Sequence, residues 1–181
     1  VSDIRVEEDD AWIVLNGDGF TYRLDKRTGL FSGLQYAGRE YLNHPMELNI
    51  WRAPTDNDMY IRAEWEKAHY DEAYTRAYSE QTLQNKFGVM IMCHAGVVAP
   101  TVQKLIDVEI MWKIDGAGRI AAGITAVKDE ELPDLPRFGV RMFLDKKLTD
   151  AGFFGMGPQE NYRDKHRSAS HGLYRLKVSD M

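Results

Sequence analysis

Val89-Met90-Ile91-Met92-Cys93, followed by Leu105-Ile106-Asp107-Val108-Glu109-Ile110-Met111-Trp112-Lys113-Ile114-Asp115-Gly116-Ala117-Gly118-Arg119-Ile120, is the stretch that decides the fold. Val89, Ile91 and Cys93 fall on every second position, as do Val108, Ile110, Trp112 and Ile114. Strands turn successive side chains to opposite faces, so this period of two predicts half-buried strands rather than helices. Val102 and Leu105 extend the second apolar run. Asp115-Gly116-Ala117-Gly118 supplies a turn, and residues 120–127 the next strand. Strands of about ten residues joined by Gly/Asp turns predict a large antiparallel sheet without α/β crossovers.

Upstream the strands are shorter. Trp12-Ile13-Val14-Leu15 runs into Asn16-Gly17-Asp18-Gly19, after which Phe20, Tyr22 and Leu24 alternate with Thr21, Arg23 and Asp25. Asn-Gly between alternating runs signals a hairpin, and the four residues 16–19 leave its turn type open. Lys26-Arg27-Thr28-Gly29 forms the next turn before Leu30–Tyr36, so residues 1–42 read as an antiparallel meander. Ile61, Trp65, Ala68 and His69 stand at helical spacing and predict one short helix. Residues 74–83 fit a helix or an edge strand. Pro133 and Pro136 bracket a loop before an apolar run over 138–144.

Of the 181 residues, 44% are hydrophobic and 28% charged, enough apolar side chain for a sizeable core and unlike a disordered chain. The 23 Lys and Arg against 28 Asp and Glu leave a net charge of −5, the wrong sign for a nucleic-acid binder. The basic cluster Arg163, Lys165, His166 and Arg167 is interrupted by Asp164 and reads as solvated surface. No apolar run approaches the ~18–20 residues of a membrane helix. The least charged stretch, 87–102, is broken by His94, Gly96 and Pro100. Cys93 is the single cysteine, so an intrachain disulfide and a Cys-based zinc site are excluded and a buried thiol is expected. The chain opens on Val1-Ser2-Asp3, without an initiator Met or a visible signal peptide. An upstream part is therefore expected; the termini leave the compartment open between the cytoplasm, which is favoured, and the periplasm or secretion.

Two stretches carry more than patterning. In Asn49-Ile50-Trp51-Arg52-Ala53-Pro54-Thr55-Asp56-Asn57-Asp58 a strand meets Pro54 and then three acidic or amide side chains. Asp and Asn bond their own backbone two residues on, so the segment is built to turn sharply. Such a loop caps backbone donors or aims side chains at a sugar hydroxyl. A calcium loop of the EF-hand type needs Gly at its sixth position and Glu at its twelfth, where this chain has Ile61 and Lys67. The second stretch, Gly155-Met156-Gly157-Pro158-Gln159-Glu160-Asn161-Tyr162-Arg163-Asp164, sets two glycines and a proline ahead of a polar run. Its Gly-x-Gly lacks the third Gly or the Lys-Ser/Thr of a phosphate loop.

Taken together, these motifs resemble the C-terminal domain of the large bacterial β-galactosidases of glycoside hydrolase family two. Trp51-Arg52-Ala53-Pro54-Thr55-Asp56-Asn57-Asp58, Leu135-Pro136-Arg137-Phe138-Gly139-Val140-Arg141 and residues 155–162 look like that domain's signatures, in the same order. The resemblance covers residues 18–181. It implies a mainly β fold: a large antiparallel twisted sandwich, the supersandwich related to galactose mutarotases, with one short helix. It also implies a single domain over 1–181 that is incomplete at its C-terminal end, since the family's domain continues past Met181 with further strands and an aromatic residue that stacks on the sugar. The implied role is a non-catalytic part of an enzyme that hydrolyses terminal β-galactosides such as lactose. There it supports the catalytic barrel and shapes the sugar entrance. By the resemblance Arg52, Asp56, Asn57 and Asp58 lie nearest the barrel interface, and Glu160, Asn161 and Arg163 form a structural or sugar-proximal loop. The implied partners are the other domains of the parent chain, the galactoside, and further copies of the parent. The magnesium and sodium that the family uses belong to other domains, and no cofactor is expected in this segment.

Retaining glycosidases need two carboxyl groups roughly 5–5.5 Å apart, one as acid/base and one as nucleophile. The family carries both on a barrel that precedes this domain. Glu130 and Glu131, read as strand neighbours, point to opposite faces. Asp56 and Asp58 read as turn chemistry, so no residue is assigned to catalysis and none to a metal. The loop after Asp58 passes quickly through 59–63 into the helix and reads as short. Trp51, Trp65 and Trp112 have apolar neighbours and are expected in the core. Two other readings stand beside the leading one. A free-standing carbohydrate-binding module needs exposed aromatics beside polar groups. A mutarotase-like enzyme needs a His and a carboxylate as acid and base. His44, His69, His94, His166 and His171 are candidates for that chemistry, but none sits in a matching motif. His94, on an apolar run, is expected to be a satisfied core residue.

Overall fold

A computed structural model of the chain describes residues 4–101, 104–159, 161 and 167–180. They fall into two compact units, residues 1–143 and 144–181. In the first unit the meander forms as read. Strands β1 (Arg5–Glu8), β2 (Trp12–Gly17), β3 (Phe20–Asp25), β4 (Leu30–Tyr36) and β5 (Arg39–Glu40) lie side by side in chain order as one antiparallel sheet. The β2–β3 turn is tighter than the four residues 16–19. Gly17 pairs with Phe20, so Asp18 and Gly19 alone make the turn, with Gly19 at φ +77°. Asn16 stays in the ladder because its side-chain oxygen accepts the Thr21 hydroxyl across the pair at 3.0 Å.

Strand β6 (Leu42–Asn49) runs into the Pro54 segment, a 3-10 turn (Asp56–Asp58), the short helix α1 (Arg62–Lys67) and a second 3-10 turn (Tyr70–Glu72). Then β7 (Tyr74–Asn85), β8 (Gly88–Val98), β9 (Ile106–Asp115) and β10 (Ile120–Lys128) form a second antiparallel sheet in the order β10-β9-β8-β7. The stretch 74–83 is thus a strand: pairing along β8 decides what its mixed composition left open. Strand β11 (Gly139–Leu144) pairs with β6. Glu130 and Glu131 lie in the turn after β10 rather than on a strand, both exposed.

The two larger sheets share one core. The alternate residues of β8 and β9 turn inward and are almost fully buried, against Ile13, Leu15, Leu24 and Phe31 of the first sheet. Each such aliphatic side chain contributes roughly 1.5–3 kcal/mol by leaving water. Specific contacts fix the sheets face to face. The Phe31 and Trp112 rings meet edge to face at 5.0 Å. The Trp112 indole N–H donates to the Gly29 carbonyl at 2.8 Å, and the Tyr22 hydroxyl to the Gly118 carbonyl at 2.6 Å. Cys93, Trp65 and Trp112 are buried and Trp51 partly so, in keeping with the core expected.

His94 departs from expectation. It lies between the inward-facing Cys93 and Ala95, so alternation turns it to the outer face, where it is half-buried and bonded to Asp107. The run looked like continuous core because the outer row of β8 carries Met90 and Met92 instead of charges.

The second unit is a hairpin of β12 (Asp150–Gly157) and β13 (Ser170–Lys177), paired from Asp150 opposite Lys177 to Gly157 opposite Ser170. The Phe153 and Tyr174 rings pack at 5.3 Å, and the Tyr174 hydroxyl donates to the Gly157 carbonyl at 3.1 Å. The chain is therefore mainly β, in antiparallel sheets with one short α-helix, and the facing sheets of the first unit make a β-sandwich.

Candidate functional site

The segment from Trp51 to Asp58 doubles back on itself. Pro54 disfavours the helical region for Ala53, and Thr55-x-x-Asp58 has the spacing of a capping box. Arg52 and Asp58 close the turn: Nη1 donates to Asp58 Oδ2 at 2.5 Å and Nη2 to Oδ1 at 2.8 Å. Asp58 Oδ2 also accepts the backbone N–H of Thr55 at 2.7 Å and its hydroxyl at 2.9 Å. Charge-assisted donors of this kind favour the ionised acid. The Arg52 guanidinium first, and then the Thr55 N–H, hold the Asp58 carboxyl far below the usual carboxylate range. Asp58 is thus a permanent anion with its oxygens engaged, neither a proton donor nor a base near neutral pH.

Arg52 reaches further. Its Nε donates to the Pro136 carbonyl at 3.2 Å, and its guanidinium lies over the Trp65 ring, 5.4 Å from the centroid. Trp65, carried by α1, donates its indole N–H to the Asp134 carbonyl at 2.8 Å and packs edge to face on Trp51 at 6.3 Å. The Tyr70 hydroxyl donates to the Pro133 carbonyl at 2.7 Å. Burial, and then the Asp134 charge, push the Tyr70 hydroxyl up to about 12, so it acts as a fixed donor. Three side chains from residues 52–70 therefore pin the 133–136 loop, which leads into the second signature.

Asp56 and Asn57 are exposed at the tip of the turn, with Met59 and Tyr60 standing out beside them; Tyr60 is 86% exposed. The chain then reaches α1 at Arg62, the short loop that was expected. In the second unit the Asn161 amide donates to the Met156 and Gln159 carbonyls at 3.1 and 2.9 Å, a local turn. Glu160 and Arg163 lie outside the described residues, as do Lys165 and His166 of the basic cluster; Arg167 is exposed.

Arg52 and Asp58 are thus brought together, Asp56 and Asn57 stay at the surface, and Asn161 closes a turn of its own. Sequence reasoning missed Thr55, Trp65 and Tyr70 as members of this assembly. The Thr-x-x-Asp spacing was a usable signal for Thr55; backbone carbonyls of the 133–136 loop leave no signature in side-chain identity. Among the described residues, no group of three His, Cys, Asp or Glu side chains converges as a metal site. Chemically, the assembly is a pinned turn that leaves Asp56, Asn57, Met59 and Tyr60 exposed at its surface.

Comparison with known proteins agrees with the three motifs. The chain is 41% identical over 173 residues to a β-galactosidase of Actinobacillus pleuropneumoniae, an overlap of 96% of this chain and 17% of that protein. It is 34% identical over 169 residues to a β-galactosidase of Lactobacillus delbrueckii subsp. bulgaricus, covering 91% of this chain and 16% of the relative. A β-galactosidase of Staphylococcus xylosus is 27% identical over 165 residues. The chain spans about one sixth of the length of these relatives. The model of the beta galactosidase small chain family matches residues 16–181, which is nearly the whole sequence, and the chain belongs to that family.

Proposed function

We propose that this chain is a non-catalytic part of a β-galactosidase, a glycoside hydrolase that cleaves terminal β-galactosides such as lactose. Its role is to hold a rigid edge against the catalytic barrel of its own parent chain and to help shape the sugar entrance. The observation that carries this reading is the Arg52–Asp58 clamp. It takes the buried carboxylate of the signature out of acid–base chemistry and locks the backbone of the turn to the 133–136 loop. Binding energy at an interface concentrates in a few rigid, exposed aromatic and polar side chains, which is what Tyr60, Asp56 and Asn57 offer. The catalytic barrel, the galactoside and further copies of the parent are the partners this role requires.

The experiment is hydrolysis of a nitrophenyl β-galactoside by the purified 181-residue chain, beside a β-galactosidase of the family with and without this segment. The chain alone is expected to be inactive, and the parent to lose activity or assembly without it. Clear turnover by the purified chain itself overturns the assignment.

A further inference from the structure

The outer face of the β7–β10 sheet carries a second constellation, which the clamp does not use. Ala77 pairs with Ala95 and Ser79 with His94, which leaves Tyr78 as the extra residue of a β-bulge. Bulges re-aim side chains. Here the hydroxyl end of the Tyr78 ring lies over Gly96 of β8: a Cβ at Gly96 would sit 2.8 Å from the Tyr78 hydroxyl oxygen and 3.1 Å from Cε2. Gly96 is buried beneath the hydroxyl end of the ring, while Tyr78 remains 46% exposed.

Polar groups lie beside the ring. The His94 ring stands 5.4 Å away, its Nε2 hydrogen-bonded to Asp107 Oδ1 at 2.8 Å. Lys104 Nζ donates to the other Asp107 oxygen at 2.9 Å. Lys104 adopts φ +42°, a left-handed conformation that a lysine rarely takes and that places its side chain here. Tyr74, 50% exposed and four residues before Tyr78, lines the same groove of about 590 Å³ with Tyr78, His94 and Lys104.

We propose that this groove is a binding site for a pyranoside oligosaccharide. The C–H face of a pyranose stacks on an open aromatic ring, and its hydroxyls need donors and acceptors at the ring's edge. Tyr78 supplies the first, and Lys104, Asp107 and His94 the second, already held in place by their mutual bonds. Tyr74 lies roughly 13 Å along the strand from Tyr78 at ~3.3 Å per residue, a span that fits more than one sugar ring. The site rests on these side chains alone and stands whether or not the parent hydrolyses galactosides.

Titration of the 181-residue chain with lactose and with a β-1,4-linked galactotetraose, followed by ¹H–¹⁵N correlation spectra, tests this. Saturable shifts are expected around residues 78 and 96, with the tetraose binding more tightly. Tyr78→Ala weakens binding about tenfold, the loss typical of one central aromatic anchor. Tyr78→Phe retains affinity, and Lys104→Met lowers it while the remaining amide spectrum stays folded. Tyr36→Ala, at an exposed tyrosine of the other sheet, changes nothing. Shifts that do not saturate, shifts centred elsewhere, or unchanged affinity in both Tyr78→Ala and Lys104→Met overturn the proposal.

Discussion

Arg52 and Asp58 close a short turn through two guanidinium–carboxylate bonds, and the same guanidinium reaches the Pro136 carbonyl, 84 residues along the chain. One side chain therefore orders its own turn and ties it to a distant loop. Lysine cannot replace it, because an ammonium has no planar fork to meet two carboxylate oxygens and a carbonyl together. Arg52→Lys is expected to melt several degrees below the wild type, with faster amide exchange in both 52–58 and 133–136. Exchange that rises in the first segment alone would show that the Pro136 bond does not couple them.

Asp58 makes the clamp dependent on pH. Its carboxyl is held far below its ordinary value, by the Arg52 bonds first and the Thr55 N–H next. A carboxylate more acidic in the folded than in the unfolded state contributes stability that is complete above the unfolded value, near ~3.9, and is lost as pH falls toward the folded one. Asp58→Asn removes that contribution at every pH. The gap in melting temperature between wild type and Asp58→Asn should therefore be constant near neutrality and narrow as pH drops below about 4. A gap that keeps its size in acid argues that Asp58 is not ionised in the way its four donors require.

Two glycines with similar backbones separate strain from packing. Gly19 has φ +77° and open space where a Cβ would stand, whereas Gly29 has φ +70° and would place its Cβ 3.0 Å from Cys93 Cβ. Alanine at either site incurs about 1–2 kcal/mol for the left-handed conformation. At Gly29 it also wedges the two sheets apart beside the Trp112 bond, adding about 1–3 kcal/mol of overpacking. Denaturant unfolding of both variants should show Gly29→Ala as the more destabilised; equal losses would assign the whole effect to backbone strain.

Cys93 reports on the same seam. Burial, and then the Glu80 and Glu109 charges, push its thiol up to about 12. The thiolate is the reactive form, so labelling at pH 8 should be at least ~10³-fold slower in the native chain than in urea. Labelling at the unfolded rate under native conditions would mean that the sheets do not stay closed over β8.

What was legible in the sequence follows the range of the interaction involved. The β8 and β9 strands were readable because a half-buried strand writes its burial into every second residue. Residues 74–83 were not, since an edge strand with polar side chains carries a weak period and its pairing comes from β8. His94 was misplaced for the opposite reason: Met90 and Met92 hide the alternation on the outer row. At the clamp, Arg52, Asp58 and the turn were visible in the motif. The anchoring of 133–136 was invisible, because its acceptors are the carbonyls of Pro133, Asp134 and Pro136.

That anchoring yields a final expectation. Tyr70 and Trp65 hold neighbouring carbonyls of one loop, so removing either donor leaves a partly buried acceptor unpaired, at about 1–3 kcal/mol. Tyr70→Phe keeps the ring and deletes only the hydroxyl, and Trp65→Phe deletes the indole N–H together with part of the packing on Trp51 and Arg52. If the two bonds act on one rigid loop, the second deletion meets an acceptor already loosened by the first. The double variant should then lose less stability than the sum of the singles, by at least about 0.5 kcal/mol, the scale of coupling between contacting residues. The loop should also become cleavable by a protease in all three variants. Strict additivity in unfolding, with no new cleavage between 132 and 137, would mean that each bond caps its own carbonyl and that the clamp ends at Arg52.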